Sequence, residues 1–261
     1  MPLFKTSNPA LGQDTFKQYS SGQYGGQYGG LIDASARMTL SGTVNKTAIL
    51  LLCALATAAW TWKSFMDTLD PSSVYLQLMV GLFGGMIFAF VTIFKNEWSP
   101  VTAPIYALLE GMALGGLSAI MNHYYPGIAI QAVSLTFGTL FIMLFLYRSG
   151  IIRVTDKLRI GIVAATGGIC LFYFASMLLS FFHINFFGPV WGSGVVGIGF
   201  SLFVVAIAAL NLVLDFDFIE QGVTAGAPKF MEWYGAFGIM VTLVWLYIEI
   251  LRLLSKVRSR N

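Results

Sequence analysis

One stretch decides the fold: residues 160–214 read IGIVAATGGICLFYFASMLLSFFHINFFGPVWGSGVVGIGFSLFVVAIAALNLVL and contain no Asp, Glu, Lys or Arg. A helix needs about 20 apolar residues to cross the hydrocarbon core of a bilayer. The stretch is therefore long enough for two crossings. A turn is predicted at His183-Ile184-Asn185 and Gly188-Pro189, because polar residues, glycine and proline interrupt the apolar run there.

The rest of the chain continues this alternation of apolar runs and short polar breaks. Five further runs occupy residues 47–62, 71–94, 100–121, 128–147 and 233–254. Helices are predicted for all seven runs, since the alternating pattern of a membrane barrel is absent. The predicted fold class is all-α: a polytopic membrane protein with seven transmembrane helices.

The composition supports a membrane protein and excludes other classes. The chain is 57% hydrophobic and 10% charged, whereas a soluble domain carries about 25% charged residues. The net charge of +3 forms no stripe of Lys and Arg interleaved with aromatics, as a nucleic-acid binder would need. The chain lacks H-E-x-x-H, and its one G-x-G-x-x-G, at Gly192, Gly194 and Gly197, lies in an apolar run rather than after a strand. We expect no enzyme, no cofactor and no nucleic-acid partner.

The sequence divides into two regions. Residues 1–40 include SSGQYGGQYGG at positions 20–30, a Gly/Gln/Tyr repeat that cannot bury enough surface to fold. This region is predicted to be a disordered tail. Residues 41–261 form the predicted seven-helix transmembrane domain.

The basic residues leave the topology open. Four, Lys5, Lys17, Arg37 and Lys46, precede the first run and four lie in the loop after the fourth run, and seven crossings place both groups on the cytoplasmic side. The C-terminal residues Arg252, Lys256, Arg258 and Arg260 would then lie outside, against the positive-inside rule. Two explanations are possible. Either one of the seven runs is re-entrant and does not cross the membrane, or the packing of the helices, rather than the positive-inside rule, sets the orientation of the last helix.

Small residues are frequent within the runs and predict close approach of helices. They are Gly81 and Gly85, Gly111 and Gly115, and Gly194 with Gly197 and Gly199.

Carboxylates at membrane depth are the candidate functional residues. An Asp at the centre of a membrane helix costs roughly 2.5–3.5 kcal/mol even on insertion scales, so such groups face a cavity or a partner. Glu110 lies in the middle of the third run with no basic residue within one helical turn. It is either a protonated glutamate hydrogen-bonded to a neighbouring helix or a residue that lines an ion or proton path.

Three acidic residues follow one another at the end of the sixth run, at Asp215, Asp217 and Glu220. At about 100° per residue, Asp215 and Asp217 point in nearly opposite directions and cannot both face one narrow pore. Asp217 and Glu220 share a face and are typical of a solvated helix end. Asp215 lies deeper and is the stronger functional candidate.

Glu249 in the last run has two possible partners. Arg252 is three residues away and could form an intrahelical pair. Alternatively, Glu249 meets Asp215 across helices, and two such carboxylates share a proton because close like charges resist joint ionisation. That pair would act as a pH-sensitive latch. When both carboxylates are ionised, they either repel each other or together bind a hard cation such as calcium.

Several motifs resemble the bacterial branch of the Bax inhibitor-1 (transmembrane Bax inhibitor motif) family. They are Asn8-Pro9-Ala10-Leu11, the segment GTVNKT at 42–47, the segment LVLDFDFIE at 212–220 and the segment WLYIEILR at 245–252. The resemblance implies a seven-helix bundle with the last helix at its centre and a pH-sensitive calcium leak. It places the family's two functional aspartates at Asp215 and at Glu249, where glutamate replaces aspartate.

We therefore expect a pH-sensitive passive calcium leak in a bacterial inner membrane, gated by an intramembrane carboxylate pair. Asp215, Glu249, Asp217 and Glu110 are the predicted pH-sensing or ion-path residues, and Asp215 with Glu249 is the predicted calcium site. The expected partners are the lipid bilayer, calcium and other membrane proteins. The alternative is a scaffold or modulator of membrane proteases that transports nothing.

Overall fold

The structure, a computed structural model, describes residues 36–182 and 188–260. Seven helices in these ranges are long and apolar enough to cross a membrane. They are α1 (Leu40–Thr68), α2 (Ser72–Phe94), α3 (Ser99–Tyr124), α4 (Ile128–Arg148), α5 (Asp156–Phe181), α6 (Val195–Thr224) and α7 (Met231–Arg260). The prediction of seven membrane helices is confirmed. Residues 1–35 of the predicted tail and the turn predicted at 183–185 lie outside the described residues.

The helices extend beyond the apolar runs that predicted them. The last helix, α7, has 30 residues, which at 1.5 Å per residue span about 45 Å. That length matches a bilayer including its headgroup regions, about 40–45 Å. The length of α7 therefore allows the charged residues at both of its ends to reach headgroup depth.

Two sequence signals for helix starts have different outcomes. The Asp70-Pro71 pair predicts a cap for α2, and Asp70 Oδ1 accepts a hydrogen bond of 2.9 Å from the Ser72 amide, as a capping carboxylate does. The Ser99-Pro100 pair predicts the same for α3. The Ser99 hydroxyl instead donates to the Phe230 carbonyl at 3.0 Å and thereby contacts the segment before α7.

Residue contacts divide the described chain into two compact units. The first unit contains residues 36–124 and Asp215–Val241, which include α1, α2, α3, the end of α6 and the start of α7. The second contains Tyr125–Leu214 and residues 242–260, which include α4, α5, most of α6 and the end of α7.

Among the seven helices α7 is the most buried. Phe94 and Phe181, whose exposed fractions are 81% and 80%, are typical of the apolar side chains that are left for contact with lipid.

In the first unit, small residues bring α3 against α1 and α2. A Cβ at Gly111 would lie 2.2 Å from the Ala54 carbonyl oxygen, and one at Gly115 would lie 2.5 Å from the Ala58 carbonyl oxygen. A Cβ at Gly81 on α2 would lie 2.5 Å from the Leu109 carbonyl oxygen. Only glycine permits backbones to approach this closely, so this part of the packing prediction is confirmed.

The same prediction is wrong for two of the glycines near the start of α6. A Cβ at Gly194 or at Gly199 would meet no atom of the described residues within 4 Å. A Cβ at Gly197 would lie 2.0 Å from the Gly192 carbonyl oxygen, so this glycine permits a close approach of the segment just before α6.

Candidate functional site

Asp215 is fully buried within a membrane helix. Its exposed fraction is 0%, and its neighbours Leu214 and Phe216 are also buried. The sequence predicts that the sixth apolar run ends at this residue, but α6 continues to Thr224, which places Asp215 more than two turns inside the helix. Burying an acidic side chain this far inside a membrane helix is costly.

Asp217 and Glu220 lie on the more accessible side of α6. Glu220 is exposed and Asp217 is half-buried. Asp217 accepts a hydrogen bond of 2.5 Å from the Gln221 side chain one turn later. This arrangement agrees with the expected separation of Asp215 from Asp217 around the helix.

Glu249 is held in a three-residue network of the second unit. Its exposed fraction is 1%, and its Oε1 accepts hydrogen bonds from the Tyr173 hydroxyl at 2.8 Å and from Arg252 Nη1 at 3.0 Å. The same Nη1 also donates to the Tyr173 hydroxyl at 2.7 Å. The intrahelical pair with Arg252, one of the two expected arrangements, is present. Tyr173 on α5 is a partner that sequence reasoning missed.

Asp215 belongs to the first unit and Glu249 to the second. Their pairing as a latch and as a calcium site stays a prediction. Within residues 36–182 and 188–260, no three His, Cys, Asp or Glu side chains gather into a group that could hold a metal ion.

Glu110 lies in the first unit, where glycine makes room for it. A Cβ at Gly85 on α2 would lie 3.1 Å from the Glu110 Oε1. The carboxyl group is half-buried and hydrogen-bonds to the hydroxyl of Tyr106, one turn earlier on α3. The identified partner therefore lies on its own helix, whereas the sequence suggested a neighbouring helix. A role in an ion or proton path stays a prediction.

A fifth carboxylate, Glu232 at the start of α7, was missed by sequence reasoning. It is fully buried, at 0% exposed, and forms ion pairs with Lys46 at 2.6 Å and Lys229 at 2.8 Å. It also accepts hydrogen bonds from the amide and hydroxyl of Thr39, at 2.9 and 2.8 Å. Two cations and two neutral donors therefore compensate the buried charge.

The surroundings of Glu232 explain part of the GTVNKT segment. A Cβ at Gly42 would lie 2.1 Å from Glu232 Oε1, so the carboxylate occupies the space that a side chain would fill. Gly42 and Lys46 are four residues apart and share a face of α1. This glycine–lysine spacing and the three-residue spacing of Lys229 and Glu232 are the local signals that could have indicated the site.

Residues 36–39 are fastened to the segment before α7. The Met38 amide donates to the Ala227 carbonyl at 2.7 Å, and the Lys229 amide donates to the Ala36 carbonyl at 2.9 Å. These two hydrogen bonds and the Thr39–Glu232 contacts form what we call the entry clasp: residues 36–39 with 227–232. The clasp joins the chain just before the first membrane helix to the first turn of the last one.

The basic residues near the end of α7 make specific contacts in the second unit. Lys256 is buried and donates to the carbonyls of Val190 and Gly197, at 2.8 and 3.1 Å, and to the Ser201 hydroxyl at 2.9 Å. Arg258 donates to the Pro126 carbonyl at 2.7 Å. Cations that are bound in this way stabilise the helix end by packing and hydrogen bonding.

Comparison with known proteins identifies one family. A family model described as Bax inhibitor 1 like matches residues 8–259, nearly the whole chain. Neither the search of curated proteins nor the search of solved structures finds a match.

Proposed function

Because the chain belongs to the Bax inhibitor 1-like family, we propose that it is a pH-sensitive passive leak for calcium or a related cation. In this proposal the protein lies in a bacterial inner membrane, and Asp215 and Glu249 are its titrating groups. Calcium is the transported ion, and the protein carries out no chemical reaction.

One observation carries the proposal: the complete burial of Asp215 in a membrane-spanning helix. Burying a carboxylate in an apolar environment is expensive, and such residues commonly belong to ion or proton pathways. A side chain of this kind is a suitable pH-sensing group, because protonation removes its charge and changes its hydrogen bonding.

The network around Glu249 supports a second contact that depends on charge. The Glu249 carboxylate pairs with Arg252 and accepts from the Tyr173 hydroxyl, so it connects α7 to α5. Removing the charge of this carboxylate would remove the ion pair and weaken that connection.

Calcium flux into proteoliposomes, measured across a pH series, tests the proposal. The wild-type protein should show a flux that changes with pH, and Asp215→Asn should flatten that change. Asp217→Asn is the matched control, because it removes the same charge from an accessible position two residues away. A pH profile that survives Asp215→Asn unchanged would contradict the role of Asp215.

The predicted pairing of Asp215 with Glu249 needs a separate measurement. The flux of Asp215→Asn, Glu249→Gln and the double variant forms a double-mutant cycle. Non-additive effects on the pH profile are expected for two carboxylates that share a proton. Additive effects would mean that the two groups act independently and that the latch is wrong.

A further inference from the structure

A small depression in the second unit combines cations with aromatic side chains. It lies between α5, α6, α7 and the one-turn helix Gly188–Trp191. Its walls include Phe172, Tyr173, Trp191, Phe200, Arg252 and Lys256. We call it the Arg252 pocket. None of the predicted ion-path residues lines it.

The guanidinium group of Arg252 still has hydrogen-bonding capacity there. Nη1 donates to Glu249 and to the Tyr173 hydroxyl. Nε and Nη2 make no hydrogen bond with any residue that the structure describes. Because the side chain is 30% exposed, these remaining N–H groups are available to a molecule that enters the pocket.

Two aromatic rings hold the guanidinium in place. Its central carbon lies 5.2 Å from the Tyr173 ring centroid and 5.3 Å from that of Trp191. Both distances are within the range of cation–π attraction. The stacked guanidinium is therefore ordered before a ligand arrives, which reduces the entropy lost on binding.

The charge of the pocket favours an anion. Lys256 contributes a second positive charge. Its ammonium already donates three hydrogen bonds, so it attracts an anion only through long-range electrostatics. Glu249, the carboxylate paired with Arg252, is 1% exposed and compensates only one of the two cations. A quaternary ammonium ligand is disfavoured because the guanidinium already occupies the faces of both rings.

The position of the pocket favours a lipid headgroup. The helices that form it also carry exposed apolar side chains nearby in the chain. Phe181 at the end of α5 is 80% exposed, and Val195 and Val196 at the start of α6 are 73% and 61% exposed. Basic pockets between membrane helices are a known form of anionic-lipid site, and aromatic side chains are typical of the membrane interface.

We propose that the Arg252 pocket binds the phosphate group of an anionic phospholipid. The free N–H groups of Arg252 donate to the phosphate oxygens, Trp191 closes one side, and the acyl chains lie along the exposed start of α6. The site shares Arg252 and Tyr173 with the Glu249 network of the proposed cation leak, but lipid binding requires neither Asp215 nor a conducting state.

Native mass spectrometry of the detergent-purified protein tests this assignment with phosphatidylglycerol and phosphatidylcholine as probes. The wild-type protein should retain one phosphatidylglycerol at concentrations where phosphatidylcholine is lost. Arg252→Gln and Trp191→Leu should each weaken retention about tenfold, the expected effect of losing a charge-assisted contact. Arg260→Gln is the matched control, since it removes an exposed cation from the same helix and should retain the lipid.

Equal loss of lipid in Arg252→Gln and Arg260→Gln would overturn the proposal, as would equal retention of the two lipids. Inorganic phosphate is the second arm of the experiment. If it binds alone as tightly as the lipid and displaces it, the site is one for free phosphate and the lipid assignment is wrong. Should Arg252→Gln fail to fold, Trp191→Leu decides the question, because it leaves the Arg252–Glu249 pair in place.

Discussion

Lys46 and Glu232 form an ion pair of 2.6 Å between the second turn of α1 and the first turn of α7. The Glu232 carboxylate is fully buried, and the Lys46 side chain is 19% exposed. The pair lies next to the entry clasp, in which Thr39 donates two hydrogen bonds to the same carboxylate. It joins two helices that lie at opposite ends of the chain.

Removing the anion of this pair should destabilise the protein. Glu232→Gln leaves Lys46 largely buried without its counterion, which typically costs about 3–5 kcal/mol. We expect a clear decrease in the thermal unfolding temperature of the detergent-solubilised protein. Lys229→Gln is the control: that side chain is 48% exposed, so losing its ion pair should change stability by less than about 1 kcal/mol. Equal decreases for the two variants would contradict the assigned importance of the buried pair.

Adding one methyl group at Gly111 should separate α3 from α1. In Gly111→Ala the new Cβ would lie 2.2 Å from the Ala54 carbonyl oxygen, so a helix must move. Overpacking of this kind typically costs about 1–3 kcal/mol. Gly116→Ala on the same helix meets its nearest atom, a Thr61 methyl, at 3.5 Å, and should fold with unchanged stability. Thermal unfolding compares the two, and a Gly111→Ala variant as stable as wild type would show that the contact is not needed.

Deleting residues 1–35 should leave the entry clasp intact. Residues 36–39 provide the contacts to Ala227, Lys229 and Glu232, so this shorter protein should keep its stability and its calcium flux. Deletion through Thr39 should lower the unfolding temperature, because Glu232 then loses two of its hydrogen-bond donors.

The same pair of deletions separates the leak from the scaffold alternative. A leak formed by the membrane helices persists when residues 1–35 are removed. A scaffold that recruits its partner through the tail loses that partner in co-purification while retaining its fold. Loss of flux in the 1–35 deletion, with unfolding temperature unchanged, would count against a leak confined to the membrane domain.

Asp70, in the loop between α1 and α2, has a pKa below its usual value because the Ser72 hydroxyl and then the Ser72 amide donate to its carboxylate. A lowered pKa in the folded state stabilises the protein above the pKa of the unfolded state. This contribution is lost as the pH falls through the folded-state pKa. Ser72→Ala should raise the pKa of Asp70 towards its usual value, measured by carboxyl carbon NMR.

Ser73→Ala provides the control for that titration. The Ser73 hydroxyl donates to the backbone carbonyl of Asp70 and not to its carboxylate, so its removal should leave the Asp70 pKa in place. If both variants raise the Asp70 pKa equally, the change in pKa comes from a general rearrangement of the loop and not from loss of the hydrogen bond between the Ser72 hydroxyl and the carboxylate.

Hydropathy was sufficient to locate the seven helices. A segment that crosses lipid must satisfy its own backbone hydrogen bonds and present apolar side chains, and both requirements are local to the segment. The same locality explains why the Glu249–Arg252 pair could be foreseen at a spacing of three residues. It also explains the close approaches at Gly81, Gly111 and Gly115, since glycine spacing on a helix is visible in the sequence.

The partners of the buried charges depended on the tertiary structure. Thr39 and Glu232 are 193 residues apart in the chain, and Tyr173 and Glu249 are 76 apart. No local pattern relates such positions, because the contact exists only after several helices have packed. The apolar runs therefore establish what crosses the membrane, whereas the packing of the helices decides which buried charge is compensated and by which side chain.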